Sequence, residues 1–184
     1  MSGSAVTVLL MAAEDLGRPE LQAVLESSAE AWAREVAPGA VERVGAGESL
    51  ADALAQGFAG HGGPVLVVWP WLAEFRRELA VAALGDFEAG CDVVLGPVID
   101  GGLYLLGLAR PLPELLSVAE DRWQDPDVMT IAFAAAQESG LEVGLLRAER
   151  ALRSAPDIKA ALADPLLPRQ IRCILAPAAS GRSS

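Results

Sequence analysis

The sequence predicts a single α/β domain, a three-layer sandwich in which helices cover both faces of a mostly parallel central sheet. Short apolar runs alternate along the chain with segments whose apolar residues recur at helical spacing, a pattern typical of parallel strands joined by helices. Two of the runs, Val65–Val68 and Cys91–Leu95, are almost continuously apolar, as expected of inner strands. With 184 residues, of which 52% are hydrophobic, the chain can bury a core of ordinary size.

The first part of the chain predicts two strands, each followed by a helix. Ala5–Met11 is rich in β-branched and aliphatic residues, and Arg18–Val36 has apolar residues at helical spacing. Val41–Val44 is a short strand candidate. Ser49, followed three residues later by Asp52, resembles a helix N-cap pair and predicts the start of the second helix.

The middle of the chain predicts three strands and one helix. Gly60–Pro64 ends the second helix, and Val65–Val68 follows it as a strand. Leu72–Leu84 returns to a helical period. Cys91–Leu95 and Leu103–Leu108 then predict two strands on either side of a glycine-rich loop.

The last part of the chain predicts helix, strand and helix after a break at Pro111 and Pro113. The three elements are Asp127–Ser139, Leu141–Leu146 and Ala155–Leu162. We expect residues 1–176 to form the domain. Residues 177–184 are small and polar, and we expect a disordered tail.

Composition excludes several classes of function. The formal net charge of −11 and a pI near 4.5 leave no basic surface for nucleic acid or an anionic membrane. No apolar stretch is long enough for a membrane helix. Cys91 and Cys173 lack the spacing of a zinc site or a disulfide framework, so we expect a cytoplasmic protein without a structural metal.

The loop between the two middle strands is the strongest candidate for a ligand site. It contains Asp100, Gly101 and Gly102 at the end of a predicted buried strand. Glycines there would let the backbone and the carboxylate approach a ligand closely. Asp-Gly is equally an ordinary tight-turn dipeptide, so composition alone leaves both interpretations open.

The segment DVVLGPVIDGGLYLLGL resembles the GP-x-x-DGG-Y-Y-L-x-G segment of GT-A-like nucleotide-diphospho-sugar transferases, closest to a branch of small bacterial proteins. The similarity extends over residues 47–163. It includes a G-x-x-L helix start at Gly47–Leu50, the strand Gly63–Val68, and a W-x-T-like segment formed by Trp123 with Val128–Thr130. The resemblance implies a GT-A fold with a nucleotide or nucleotide-sugar site.

The chain departs from this family at the metal-binding positions. Trp69 stands where the family's D-x-P motif has its aspartate, and Ala151 and Arg153 replace the acids of a later D-x-D-like element. Transferases of this type use carboxylates to hold a divalent cation against the diphosphate. We therefore expect no cofactor, and Mg²⁺ or Mn²⁺ only if the protein is an active transferase after all.

The loop after the first strand also departs from the family. Relatives have a basic, glycine-containing phosphate loop there, whereas this chain has Glu14 and Asp15, which would repel a triphosphate. Gly17 and Arg18 are the two residues left that could contact a phosphate. If the enzyme alternative holds, Glu14, Asp15 and Asp100 are the acids available to bind a metal.

Trp69 is also a candidate for substrate binding, because Trp69 and Trp71 could stack on a base or sugar ring at the strand end. Aromatic residues in such positions more often cover the core. We expect the two rings to point to opposite sides, and we expect Trp69 to fill part of the ancestral pocket.

The remaining candidates each have a simpler explanation. His61 could be a general base, but its glycine neighbours favour a solvated loop histidine. Arg147, Arg150 and Arg153 recur every three residues, which would align them on one face if the segment is helical. Such a stripe suits an anionic partner and intramolecular acids equally well.

These observations leave two hypotheses. One is a divergent, non-catalytic member of the transferase fold that keeps a binding role, with a nucleotide or a sugar as its ligand. The other is an active glycosyltransferase or nucleotidyltransferase in which Asp100, Gly101 and Gly102 orient the substrate. The missing carboxylates favour the first. A homo-oligomer is compatible with either.

Overall fold

A computed structural model describes residues 5–13, 16–118 and 122–176, and it has the predicted architecture of a mostly parallel six-stranded sheet flanked by helices. The strands are β1 Thr7–Met11, β2 Val41–Val44, β3 Val65–Val68, β4 Val93–Pro97, β5 Leu103–Leu108 and β6 Val143–Leu145.

The strand order is β2-β1-β3-β5-β4-β6. All neighbouring pairs are parallel except those of β5, which runs antiparallel to both β3 and β4. Both predicted inner strands are therefore confirmed as inner, since β3 lies between β1 and β5 and β4 lies between β5 and β6. Every residue of β3 is buried, as its unbroken apolar sequence requires.

Seven helices connect and cover these strands in the described part of the chain. They are α1 Pro19–Val36, α2 Leu50–His61, α3 Arg77–Glu88, α4 Pro113–Val118, α5 Val128–Glu138, α6 Ala155–Ala163 and α7 Arg169–Leu175. Helix α1 contacts α3 and α7, and α7 contacts α6, so these four form one layer. The β1-α1-β2 and β2-α2-β3 crossovers run in opposite directions along the sheet, and right-handed connections therefore place α1 and α2 on opposite faces.

Several predicted boundaries shift. The helix expected over 72–84 begins only at Arg77, because Leu72 pairs as an isolated bridge with Ala151 and keeps the preceding segment extended. The strand expected from Cys91 begins at Val93. Helices α4 and α7 were not predicted. Pro111 and Pro113 suggested a break, whereas Pro113 is the first residue of α4, and Pro168 is the N-cap of α7.

Helix α2 begins as its sequence predicts. The Ser49 hydroxyl accepts a hydrogen bond from the backbone N–H of Asp52, which satisfies one of the free donors of the first turn. The helix ends at Gly62, whose φ of 66° is the left-handed conformation that favours glycine. His61 is therefore the last residue of a helix, and the expected loop position was wrong.

Residues 146–153, the crossing segment, pass over the end of the sheet. The N–H of Leu146 donates to Leu95 O, that of Glu149 to Pro97 O, and that of Leu152 to Trp71 O, at 2.9–3.0 Å. The segment is extended, so the helical stripe considered for Arg147, Arg150 and Arg153 does not form. Its consequence is that the carboxyl ends of β3 and β4 are spanned by the chain itself.

No helix of the described residues has the length and apolar character needed to cross a membrane. Glu14, Asp15 and the predicted tail 177–184 lie outside the described residues.

Candidate functional site

The candidate site is at the carboxyl ends of the parallel strands, the edge where open α/β sheets bind ligands. Three segments meet there: the turn after β3 with Trp69, the loop 98–102 between β4 and β5, and the crossing segment 146–153. All three segments contain residues that the sequence singled out as candidates. Their contacts are described in turn below.

Trp69 and Trp71 are packed inside this edge. They are 5% and 1% exposed, respectively, and their ring centroids are 6.4 Å apart with 33° between the planes. The N–H of Trp69 donates to Tyr104 O and that of Trp71 to Trp69 O. The expectation of opposite orientations was wrong, because the chain bends at Pro70, where Trp71 N–H donates back to Trp69 O, and the two rings lie side by side.

Arg153 connects the crossing segment to both other segments. Its Nη2 donates to Gly101 O at 2.6 Å, and its guanidinium carbon lies 4.5 Å from the centroid of the Trp71 ring. Stacking on an aromatic ring and a carbonyl acceptor together fix the planar guanidinium. A cationic side chain thus lies where the resemblance places a metal-binding acid.

The two glycines of the loop are required by packing within the protein. Gly101 has φ 99°, and a Cβ there would overlap the Cα of Pro126. Gly102 has φ 83°, and a Cβ there would lie 2.6 Å from Gln124 Oε1 and 3.2 Å from Arg153 Nη1. Both positions therefore need glycine whether or not a ligand binds.

Asp100 is exposed, yet it is tied to the crossing segment and to α6. Its side chain is 59% exposed and lies 3.8 Å from Arg150 Nη1, and hydrogen bonding with the carboxyl group of Asp157 is the main cause that raises its pKa. Asp157 is 5% exposed and forms a capping box with Ser154: Ser154 N and Oγ donate to Asp157 Oδ2, and Asp157 N donates to Ser154 Oγ. Asp100 is thus neither confined to its own turn nor enclosed in a cleft.

The pKa values of the two carboxyl groups move in opposite directions. The hydrogen bond to Asp157, then desolvation and the Asp157 charge, raise the pKa of Asp100 against the opposing charges of Arg150 and Arg153. Burial alone would raise the pKa of Asp157, but hydrogen bonds from Ser154 and Asp100 outweigh burial and lower it. Asp157 is consequently the carboxylate of the pair, and Asp100 is the member that holds the proton longer.

This pair predicts a pH-dependent effect of Asp100→Asn. A raised pKa means that ionising Asp100 costs stability, so its contribution is present at pH below 3.8 and is lost as the pH rises through the higher folded-state pKa. Asparagine keeps a donor for Asp157 and carries no charge. We expect the variant to gain melting temperature over the parent at pH 7 and to lose that gain at pH 3.5. A gain of equal size at both pH values would contradict the assignment.

The other predicted site residues lie near the same edge without forming part of this cluster. Gly17, with φ 63°, and Arg18 follow β1 and are exposed, with Arg18 at the N-cap of α1. Their role toward a phosphate stays a prediction. Arg76 and Arg77 at the start of α3 are exposed and pair with Glu74 and Glu35.

The three arginines of the crossing segment have intramolecular partners. Arg147 pairs with Glu149, Arg150 with Asp100, and Arg153 with the Gly101 carbonyl. Among the described residues there is no group of three or more His, Cys, Asp or Glu side chains that could hold a metal ion.

A separate groove of about 890 Å³ opens between α2 and α4. One wall is a face of α2, the other is the start of α4, and Trp123 lies at the side nearest the loop 98–102, since its carbonyl accepts from Leu103 N. Its lining includes the apolar residues Leu50, Leu54, Phe58, Leu112, Leu116 and Trp123. The groove was not predicted, because it depends on the missed helix α4.

The sequence also missed the partners that hold the loop. Gln124 and Pro126 pack on the two glycines, and Asp157 holds Asp100. One signal was available: Ser154 followed three residues later by Asp157 is a capping pattern that places an acid at the start of α6. Nothing local indicates the contacts of Gln124 and Pro126, which are long-range.

Comparison with solved structures supports the fold. The chain is similar to a "putative nucleotide-diphospho-sugar transferase" from Desulfovibrio desulfuricans G20, with a TM-score of 0.69, 18% identity, and 94% of each chain covered. It is also similar to 4-diphosphocytidyl-2C-methyl-D-erythritol synthase from Anaerococcus prevotii, with a TM-score of 0.51, 11% identity, and 86% of this chain and 97% of that one covered. At these identities the likeness concerns the fold.

No curated protein matches the chain. A family does: the one described as "uncharacterized protein conserved in bacteria (DUF2064)" matches residues 4–123, which is more than half of the sequence. With a fold of the nucleotide-diphospho-sugar transferase type and this match, the chain belongs to the DUF2064 family of bacterial proteins.

Proposed function

We propose that this protein is a non-catalytic member of the nucleotide-diphospho-sugar transferase fold that acts by binding a small molecule. The observation that carries the proposal is the position of Arg153. Its guanidinium stacks on Trp71 and donates to Gly101 O, at a position where the resemblance implies a metal-binding carboxylate.

The donor set at the strand ends does not fit a divalent cation. Magnesium and manganese take oxygen ligands, most often carboxylates. Of the three positions that the resemblance assigns to acids, Trp69 and Ala151 are buried apolar residues and Arg153 is a cation. A divalent ion beside a guanidinium would be repelled by its charge, so we derive no reaction step through a metal.

The alternative is an active glycosyltransferase or nucleotidyltransferase. It would have to use acids outside the positions that the resemblance assigns. Asp100 is one, although its hydrogen bond to Asp157 and its contact with Arg150 compete with a metal ion for the same oxygens. Glu14 and Asp15, the others, lie outside the described residues.

Calorimetric titration separates the two functions. We expect CTP, UTP and UDP-glucose to bind no more tightly with 5 mM Mn²⁺ than with EDTA, because the described strand ends offer the ion no set of carboxylates. Micromolar binding that requires Mn²⁺ would overturn the proposal. In that case Glu14→Gln, Asp15→Asn and Asp100→Asn would identify the ligands, and Asp52→Asn on the surface of α2 would serve as the matched control.

The groove between α2 and α4 supports the binding role. Its volume of about 890 Å³ falls in the range of small-molecule sites, and apolar side chains dominate its walls. The cluster at the strand ends, by contrast, is filled by Trp69, Trp71 and Arg153. A cytoplasmic location is part of the proposal, supported by the two unpaired cysteines.

A further inference from the structure

The groove between α2 and α4 has a regular wall on the side of α2. Leu50, Ala51, Leu54, Ala55 and Phe58 all line it, and their spacing of three and four places them on one face of the helix. From Leu50 to Phe58 this face is about 12 Å long at 1.5 Å per residue. The groove is therefore an elongated slot, long enough for two fused or linked rings.

The apolar character of the slot continues across its floor and its second wall. Leu54 and Trp123 are 1% and 5% exposed, and Leu112 is fully buried. Ala51 and Ala55 are exposed, so the small side chains leave the space above the buried residues open. A ligand that covers this surface would gain roughly 25 cal/mol for each Å² of apolar area removed from water.

The charge at the slot has one sign. Glu48 is the only charged side chain among the described lining residues, and its Oε2 accepts a hydrogen bond of 2.8 Å from Gly45 N, which holds the carboxylate in place. No lysine or arginine is present in the described lining, and the whole chain carries −11. The described side chains of the slot therefore offer an anionic ligand no cationic partner, and Glu48 opposes it.

We propose that the slot between α2 and α4 binds an uncharged, largely apolar small molecule of about two rings, and not a nucleotide or another anion. This inference rests on the binding role proposed above and names the class of ligand. It places the ligand along the face of α2, apart from the cluster of Trp69, Trp71 and Arg153 that fills the ends of the middle strands.

Two probes that differ by one anionic group test the inference. N-phenyl-1-naphthylamine is neutral, and 1-anilinonaphthalene-8-sulfonate has the same rings with a sulfonate. We expect the neutral probe to bind with a micromolar Kd and enhanced fluorescence. The sulfonate probe should bind at least tenfold more weakly, and Glu48→Gln should reduce this difference while leaving the neutral probe unaffected. Equal binding of both probes to the parent, or no binding of the neutral one, would overturn the inference.

Substitutions on α2 locate the binding. Ala55→Phe fills the slot from an exposed position, so the variant should fold normally. Its affinity for the neutral probe should fall at least tenfold. Gln56→Phe, at an exposed position on the opposite face of α2 and outside the lining, should leave binding unchanged. If Ala55→Phe lowers the melting temperature strongly, probe binding is measured with Ala51→Phe instead. Unchanged binding in the slot variant would contradict the proposal.

The remaining outcomes separate this inference from the proposed function. If light scattering shows a dimer that Ala55→Phe dissociates, a second copy covers the slot and the inference is wrong. If the neutral probe does not bind, the proposed class of ligand is wrong, but that result does not support the catalytic alternative. Manganese-dependent nucleotide binding would overturn the non-catalytic proposal, while the naphthyl probes would still report separately on the slot.

Discussion

Gly101→Ala should lower the melting temperature far more than an alanine at an otherwise similar glycine. The left-handed φ of 99° alone costs about 1–3 kcal/mol for a residue with a Cβ. Overlap with Pro126 adds about 1–3 kcal/mol, because the obstacle is backbone and cannot rotate away. A thermal melt and a urea titration would measure the sum.

Gly90→Ala is the matched control. Gly90 has φ 102°, nearly the same as Gly101, and a Cβ there has no atom within 4 Å outside its chain neighbours. It should therefore show the cost of the backbone conformation without the overlap. The difference between the two variants, about 1–3 kcal/mol, measures the packing against Pro126. Equal melting temperatures would mean that the loop yields freely, and the case for the glycines as structural residues would fail.

This result bears on what a DGG motif signifies. In the sequence, Asp100-Gly101-Gly102 could be a ligand loop or a turn, and the choice depended on resemblance. The structure gives the glycines a packing function that needs no ligand, because Pro126, Gln124 and Arg153 occupy the space beside them. The motif is therefore good evidence for the fold and weak evidence for the chemistry.

Local patterns predicted most of the sheet because a strand buried on both faces has a continuous run of apolar residues, which is visible in the sequence. Val65–Val68 and Leu103–Leu108 were located to the residue, since each is an unbroken run of mostly aliphatic residues with both faces covered. The N-cap at Ser49 was likewise local. Boundaries failed where a distant segment decides them, as at Leu72, which is held extended by its bridge to Ala151.

The candidate site was less predictable for the same reason. Trp69, Asp100 and the glycines were identified, but the partners of Asp100 and of the glycines come from residues 124–157, which reach the strand ends only in the folded chain. Arg153 shows the limit well. The sequence showed that it replaced an acid, whereas its stacking on Trp71, 82 positions earlier in the chain, required the fold.

Trp69→Asp should destabilise the protein by about 2–4 kcal/mol, as for truncation of a large buried side chain. Trp69 is 5% exposed, lies beside Trp71, and belongs to the main hydrophobic core. The aspartate would leave a cavity and would introduce a carboxylate among apolar neighbours, which adds a desolvation cost. The substitution also places an acid where the resemblance expects one, so the same variant tests whether the surrounding core tolerates a carboxylate there.

Trp69→Phe is the control for volume. It keeps an aromatic ring in the core and should lose less than half as much stability as the aspartate variant, since the cavity is smaller and no charge is buried. Fluorescence provides an independent measure in the parent. All four tryptophans, at positions 32, 69, 71 and 123, are at most 5% exposed, so acrylamide should quench the native emission far less than that of the urea-unfolded chain.

The two measurements must agree for Trp69 to be a residue that fills the strand-end site. A melt of Trp69→Asp that coincides with the parent, together with native emission as accessible to acrylamide as that of the unfolded chain, would place the indole at the surface. The volume at the strand ends would then be open to solvent. If stability falls as expected, the indole is part of the core at the position where the resemblance implies an acid.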